Sequence, residues 1–181
     1  MHEENETEKT AWEPAALPAE DFHQAGAHAN INRAPYDTVS GVLFKRAAHI
    51  KRVRYTPANP APEMPLPWQG NGETTVRWLF SEEDGTAEGL LAGTTFVFLH
   101  DTALTPQAAT GMQSHAEMDE VLYVIAGAGQ LHHRPTEGSP VLARMLRPGD
   151  AVLIRAGEYH RIENTSATAE LRLLVLGLRR A

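Results

Sequence analysis

The chain has 181 residues, a formal net charge of −7 and no cysteine. Such a length suits one domain with a substantial core, and the negative charge disfavours nucleic acid and anionic membranes as partners. The absence of cysteine excludes disulfides, thiolate nucleophiles and Cys-ligated metal sites, so any metal must be held by nitrogen and oxygen atoms.

The first 74 residues predict an extension and not a compact unit. Residues 1–21 are acidic, contain Pro14 and Pro18 and have no periodic pattern, so they predict a flexible acidic tail. Residues 22–74 predict an arm with one or two strands, followed by a proline-rich loop. The opening MHEENETEKT lacks the basic-then-apolar order of a signal peptide, and no run reaches the roughly 18 apolar residues of a membrane span. We therefore expect a cytoplasmic protein.

Residues 75–181 predict an all-β domain. Short apolar runs, partly β-branched or aromatic, alternate with turn-forming segments such as EEDGT, PTEGS and RPGD. No run keeps a helical period for three turns, and the spacers are too short for helical crossovers. We predict antiparallel strands that close into a sandwich or barrel. The runs are TVRWLF, LLAGTTFVFLH, EVLYVIAG, GQLHHR, VLARML, AVLIR, HRIEN and ELRLLVLGL.

The stretch GMQSHAEMDEVLYVIAGAG places polar residues just ahead of an apolar strand. If Glu120 points into a barrel, then Leu122, Val124 and Ala126 point inward too, because strand residues alternate between faces. A carboxylate in an apolar interior is costly unless a cation or a hydrogen-bond donor compensates it. Glu120 therefore requires a partner.

The stretch RPGDAVLIRAGEYHRIEN supplies a candidate partner, His160, at the start of a strand. An antiparallel arrangement can bring this hairpin across the barrel mouth from Gln113, His115 and Glu120. Two imidazoles and a carboxylate, with the Gln113 amide as an optional further ligand, would make a nitrogen and oxygen site for a divalent transition metal. Asn164, four residues after His160, is expected to anchor a turn by hydrogen bonds.

The two stretches resemble the paired motifs of the cupin superfamily, G-x5-H-x-H-x(3,4)-E-x6-G and G-x5-P-x-G-x2-H-x3-N. The second motif matches from Gly149 to Asn164, with Arg155 in place of proline. In the first, Gln113 occupies the position of the leading histidine. The resemblance covers roughly residues 77–178. It implies an antiparallel cupin β-barrel, a double-stranded β-helix or jelly roll with an N-terminal extension, and a metal bound by His115, Glu120 and His160. Gln113 is either a fourth metal ligand or a residue that holds a metal-bound water or the substrate.

The metal and the catalytic groups are less closely defined by the sequence. Two histidines and one carboxylate suit Fe(II), while zinc, manganese and nickel remain alternatives. His132 and His133 are adjacent, so one of them faces the lumen and the other faces out. We take His132 as the candidate acid or base and Arg155 as a candidate site for an anionic substrate group.

These residues favour a metalloenzyme that acts on a small organic molecule, with an Fe(II)-dependent oxygenase as the leading hypothesis. A redox-neutral isomerase, lyase or cyclase using zinc, manganese or nickel is one alternative. A non-catalytic small-molecule binder is the other, because Gln113 is a weaker ligand than histidine. We also expect a homodimer in which the segment from Val39 to Tyr55 adds strands to its own sheet or to its neighbour's.

Overall fold

The computed structural model describes residues 15–18, 37–39, 42–44, 50, 52–56, 69–82 and 93–180. The rest of the predicted acidic tail and most of the proline-rich loop lie outside these ranges. No helix in the described part of the chain has the length and hydropathy to cross a membrane.

Each apolar run of residues 75–181 contributes residues to a strand, which confirms the all-β prediction. Turn residues separate the runs, and each run is long enough for one strand but too short for a helix. The strands are β5 (Thr74–Ser81), β6 (Phe96–Leu104), β7 (Gln113–Ser114), β8 (Met118–Ala126), β9 (Gly129–Arg134), β10 (Leu142–Leu146), β11 (Ala151–Ile154), β12 (Tyr159–Asn164) and β13 (Leu171–Arg179).

Four shorter strands precede them: β1 (Ala15–Pro18), β2 (Asp37–Val39), β3 (Val42–Phe44) and β4 (Val53–Thr56). Strand β4 pairs with β5, so part of the predicted arm joins the sheet of its own chain. Strand β1 lies parallel to β4 at the sheet edge, within the segment predicted to be a flexible tail. An edge position tolerates Pro18, which has no N–H to donate to a further strand.

Two sheets form the barrel. One has the strand order β1-β4-β5-β6-β13-β8-β11 and the other β10-β9-β12-β7, while β2 and β3 form a separate hairpin. Inward side chains of both sheets share one core, in which Leu104, Val124, Leu171 and Leu173 are at most 2% exposed. The described core thus occupies the space between the sheets.

The inward face of β8 follows the predicted alternation over most of its length. Glu120, Leu122 and Val124 are buried, whereas Ala126 is exposed, contrary to the sequence-based expectation. The register of β8 with β13 shifts between Arg172 and Leu173, and this bulge ends the alternation. The next residue, Gly127, has φ of 85°, and a Cβ there would collide with the carbonyl oxygen of Glu170.

Asn164 joins three segments at one end of the barrel. It is 1% exposed, and its Nδ2 donates to the carbonyls of Leu104, Thr105 and Ala169 at 2.8–3.0 Å. Its Oδ1 accepts the backbone N–H of Ser166 at 2.9 Å. Asn164 therefore anchors the turn that precedes β13, as its position in the sequence predicted.

Asn164→Ala should lower the free energy of unfolding by roughly 2–4 kcal/mol, because it leaves several buried polar groups without a partner. The measurement is urea unfolding followed by circular dichroism. Asn71→Ala is the matched control. The Nδ2 atom of Asn71 donates to the Gln107 carbonyl in an exposed setting, so this substitution should lower the free energy of unfolding by less than about 1 kcal/mol. Equal losses in the two variants would contradict the anchoring role.

Candidate metal centre

The candidate ligands come from both sheets and from the loop between them. Glu120 projects inward from β8 of the large sheet, next to Gly177 of β13. His160 of β12 and Gln113 of β7 lie opposite each other in the small sheet. His115 lies in the loop that leads from β7 to β8. The two sequence motifs thus meet between the sheets.

The predicted side chains converge in space. The Nε2 atom of His160 lies 3.0 Å from Oε2 of Glu120, and Nε2 of His115 lies 3.5 Å from Oε1. The two imidazole rings are 5.6 Å apart between centroids. One potential ligand atom from each residue lies within 4.8 Å of the others, so His115, Glu120 and His160 could hold a metal ion.

The carboxylate is buried and has apolar side chains beside it on the large sheet. Glu120 is 2% exposed and His160 1% exposed. A Cβ at the neighbouring Gly177 would lie 2.7 Å from the sulfur of Met118 and 2.8 Å from the ring of Phe98, so these two side chains close over the glycine beside Glu120. Burial is the largest influence on the pKa of His115 and lowers it, although Glu120 acts in the opposite direction. A lowered pKa favours the neutral imidazole, which is the form that binds metals.

Two groups lie close to Nε2 of His160. Besides Oε2 of Glu120, the side-chain nitrogen of Gln113 lies 3.0 Å from it. One imidazole nitrogen cannot donate to the carboxylate and accept from the amide together, whereas a cation at this point would accept lone pairs from all three residues. A half-turn of the amide would present Gln113 Oε1 to that cation. Nδ1 of His160 is buried without a hydrogen-bond partner among the described residues, so no contact there fixes the tautomer.

Hydrogen bonds connect the loop of the first motif to the turn of the second. Asp119 Oδ1 accepts the backbone N–H of Ala156 at 2.7 Å and lies 3.2 Å from Nε of Arg180. The backbone N–H of Gly157 donates to the carbonyl of His115 at 2.8 Å. The turn before His160 is therefore fixed to residues on either side of the His115–Glu120 loop.

The register places His132 and His133 on opposite faces of the small sheet. His133 is paired with His160 and shares its inward face, whereas His132 is paired with Arg161 on the outer face. There His132 Nε2 lies 3.1 Å from Glu163, which also binds Arg161 at 2.6 Å. The candidate catalytic role of His132 therefore needs correction: the histidine beside the candidate ligands is His133, a placement that sequence alternation alone could not decide.

Arg155 lies in the turn between β11 and β12, and its side chain is exposed. Its backbone N–H donates to Oε2 of Glu158 at 2.9 Å, and this bond is the largest of the influences that lower the pKa of Glu158. Glu158 Oε2 also lies 3.2 Å from Nε2 of His133. This His133–Glu158 pair was not predicted from the sequence. The anion-binding role of the Arg155 side chain stays a prediction.

Comparisons with known proteins agree with this geometry. The family model for the cupin domain matches residues 101–177, from β6 to β13. Residues 101–177 therefore form a cupin domain. Both motifs that resemble the cupin pattern lie inside the matched range, and together they bring His115, Glu120 and His160 to one point.

One solved structure shares the fold, and others are similar over part of the chain. A predicted oxalate decarboxylase from Thermotoga maritima is 22% identical with a TM-score of 0.55, and the match covers 75% of this chain and 97% of that one. A recombinant oxalate oxidase in complex with glycolate is 18% identical (TM-score 0.49; 59% and 51% covered). A sugar phosphate isomerase of the cupin superfamily from Silicibacter pomeroyi is 26% identical (TM-score 0.44; 59% and 60% covered). No curated protein matches the chain.

Replacing single candidate ligands should separate their contributions to metal affinity. His160→Ala removes one of three close ligands and should weaken binding of Zn²⁺ or Co²⁺ by roughly 100-fold or more, whereas Gln113→Ala should cost about tenfold or less. Isothermal titration of metal-free protein gives both values. His132→Ala, on the outer face, is the control and should bind as the unaltered protein does. Unchanged affinity in the His160 variant would exclude the site.

Proposed function

We propose that this protein is a metal-dependent enzyme that acts on a small organic molecule. In this proposal Fe(II) is the bound metal and dioxygen is the co-substrate. The observation that carries the proposal is the convergence of two imidazoles and one carboxylate within 4.8 Å. A set of two histidines and one carboxylate suits ferrous oxygenases because it leaves coordination positions for substrate and oxygen. The bound ion would supply Lewis acidity and the capacity for one-electron chemistry.

The residues around the ligands would orient the substrate and exclude water. Met118 and Phe98 form an apolar wall next to Glu120 on the large sheet, and Gln113 and His133 lie on the inward face of the small sheet. A substrate with one apolar side and one polar side would match this pair of walls. Gln113, 3.0 Å from His160 Nε2, can act as a further ligand or hold a polar group of the substrate.

A redox-neutral isomerase, lyase or cyclase reaction with zinc, manganese or nickel is the second candidate. It is favoured by the pair of His133 and Glu158, 3.2 Å apart, because an imidazole oriented by a carboxylate is suited to moving a proton to or from a substrate. Oxygen consumption separates the two candidates, since only the first requires dioxygen.

We also propose that the protein is a homodimer. The outer face of the large sheet exposes Tyr123 at 45%, Ile125 at 38% and Leu153 at 54% of their surfaces, and a second copy would cover such apolar side chains. A solution mass equal to one chain would contradict this.

The function is tested by anaerobic reconstitution of the metal-free protein with Fe(II), followed by oxygen-uptake assays against small organic acids and phenols. We expect one iron per chain and oxygen uptake that depends on one class of substrate. The His160→Ala variant should show neither. Turnover without oxygen uptake would favour the redox-neutral candidate, and activity that survives intact in the His160 variant would refute a metalloenzyme.

A further inference from the structure

Four side chains form a row across one face of the small sheet at the level of the candidate metal centre, and the one at the sheet edge, Leu142, is 54% exposed. In strand order the row consists of Gln113 on β7, His160 on β12, His133 on β9 and Leu142 on β10, joined by direct pairing at each step. Directly paired residues project from the same face of a sheet. Gln113 and His133 therefore flank His160 on its two sides, and Gln113 already contacts it.

The contact with Glu158 fixes the hydrogen on the His133 ring. Glu158 Oε2 accepts the backbone N–H of Arg155, and an ionised carboxylate can only accept hydrogen bonds. At 3.2 Å from that oxygen, Nε2 of His133 must be the donor. In the neutral imidazole the other nitrogen, Nδ1, then carries a lone pair and is a hydrogen-bond acceptor.

We infer that His133 contacts the substrate beside the metal and that its Nδ1 accepts a hydrogen bond from a substrate hydroxyl group. The inference rests on the proposed function and adds a substrate class to it: small molecules that carry a hydroxyl group next to the group that binds the metal. A site that hydrogen-bonds a hydroxyl discriminates against the analogue that lacks it, because its own polar group is then left unpaired.

His132 provides an unusually close control for His133. Both histidines lie on β9, and both place Nε2 within 3.2 Å of a glutamate on the neighbouring segment, Glu163 for His132 and Glu158 for His133. Both side chains are partly exposed, at 18% and 24%. They differ in the face of the sheet from which they project, so effects on substrate binding that depend on the lumen should appear in only one of them.

The first test compares lactate with propionate, which differ by one hydroxyl, as ligands of the zinc-loaded protein in isothermal titrations. His133→Ala should reduce the preference for lactate by about fivefold, the value of one net hydrogen bond of ~1 kcal/mol. His132→Ala should keep that preference, and both variants should bind Zn²⁺ as the unaltered protein does. An equal preference for lactate in all three proteins would overturn the inference.

The second test needs no metal, so it distinguishes failure of the inference from failure of the proposed function. In ¹⁵N-labelled metal-free protein at mildly alkaline pH, histidine ring shifts should show His133 wholly with its hydrogen on Nε2, and Glu158→Ala should return it to the mixture of tautomers of a free neutral imidazole. Hydrogen on Nδ1 in the unaltered protein would overturn the inference even if the metal binds. Absence of zinc binding together with the expected tautomer would instead refute the metalloenzyme.

Discussion

A carboxylate buried between two imidazoles is the constraint on which the candidate metal centre depends. Glu120 is 2% exposed, and its two oxygens face His115 and His160 at 3.5 and 3.0 Å. Burial favours the neutral form of His115, so that imidazole is a poor source of positive charge for the carboxylate. A bound cation would compensate the charge of Glu120 and use the lone pairs of both imidazoles.

The fold supplies the geometry by joining the two sheets at this point. Glu120 belongs to the large sheet and His160 to the small one. The candidate ligands therefore stay together only if the two sheets keep their separation. The backbone N–H of Ala156 donates to the Asp119 carboxylate, and that of Gly157 donates to the His115 carbonyl. These hydrogen bonds hold the two hairpins together. The same turn brings Glu158 to His133. The second motif thereby orients both the candidate ligand His160 and the neighbouring His133.

The strands of the C-terminal domain and the set of candidate ligands could be predicted from the sequence, because both depend on local sequence patterns. Apolar runs separated by turn residues predicted the strands, and the resemblance of two stretches to the cupin motifs predicted that His115, Glu120 and His160 come together. What depends on pairing between distant strands could not be predicted. His132 and His133 are equivalent until β9 is set against β12, and Ala126 turns outward because of a bulge opposite β13. Strand β1 forms through pairing with β4, although its own four residues carry no strand pattern.

The most direct test of the central claim is a crystal structure of the cobalt-loaded protein with anomalous data collected at the cobalt edge. We expect one strong anomalous peak per chain between His115, Glu120 and His160, about 2.0–2.2 Å from one ligand atom of each, as divalent metals are bound by imidazole and carboxylate. A peak elsewhere on the chain, with Glu120 and the two histidines left as direct contacts of one another, would contradict this expectation.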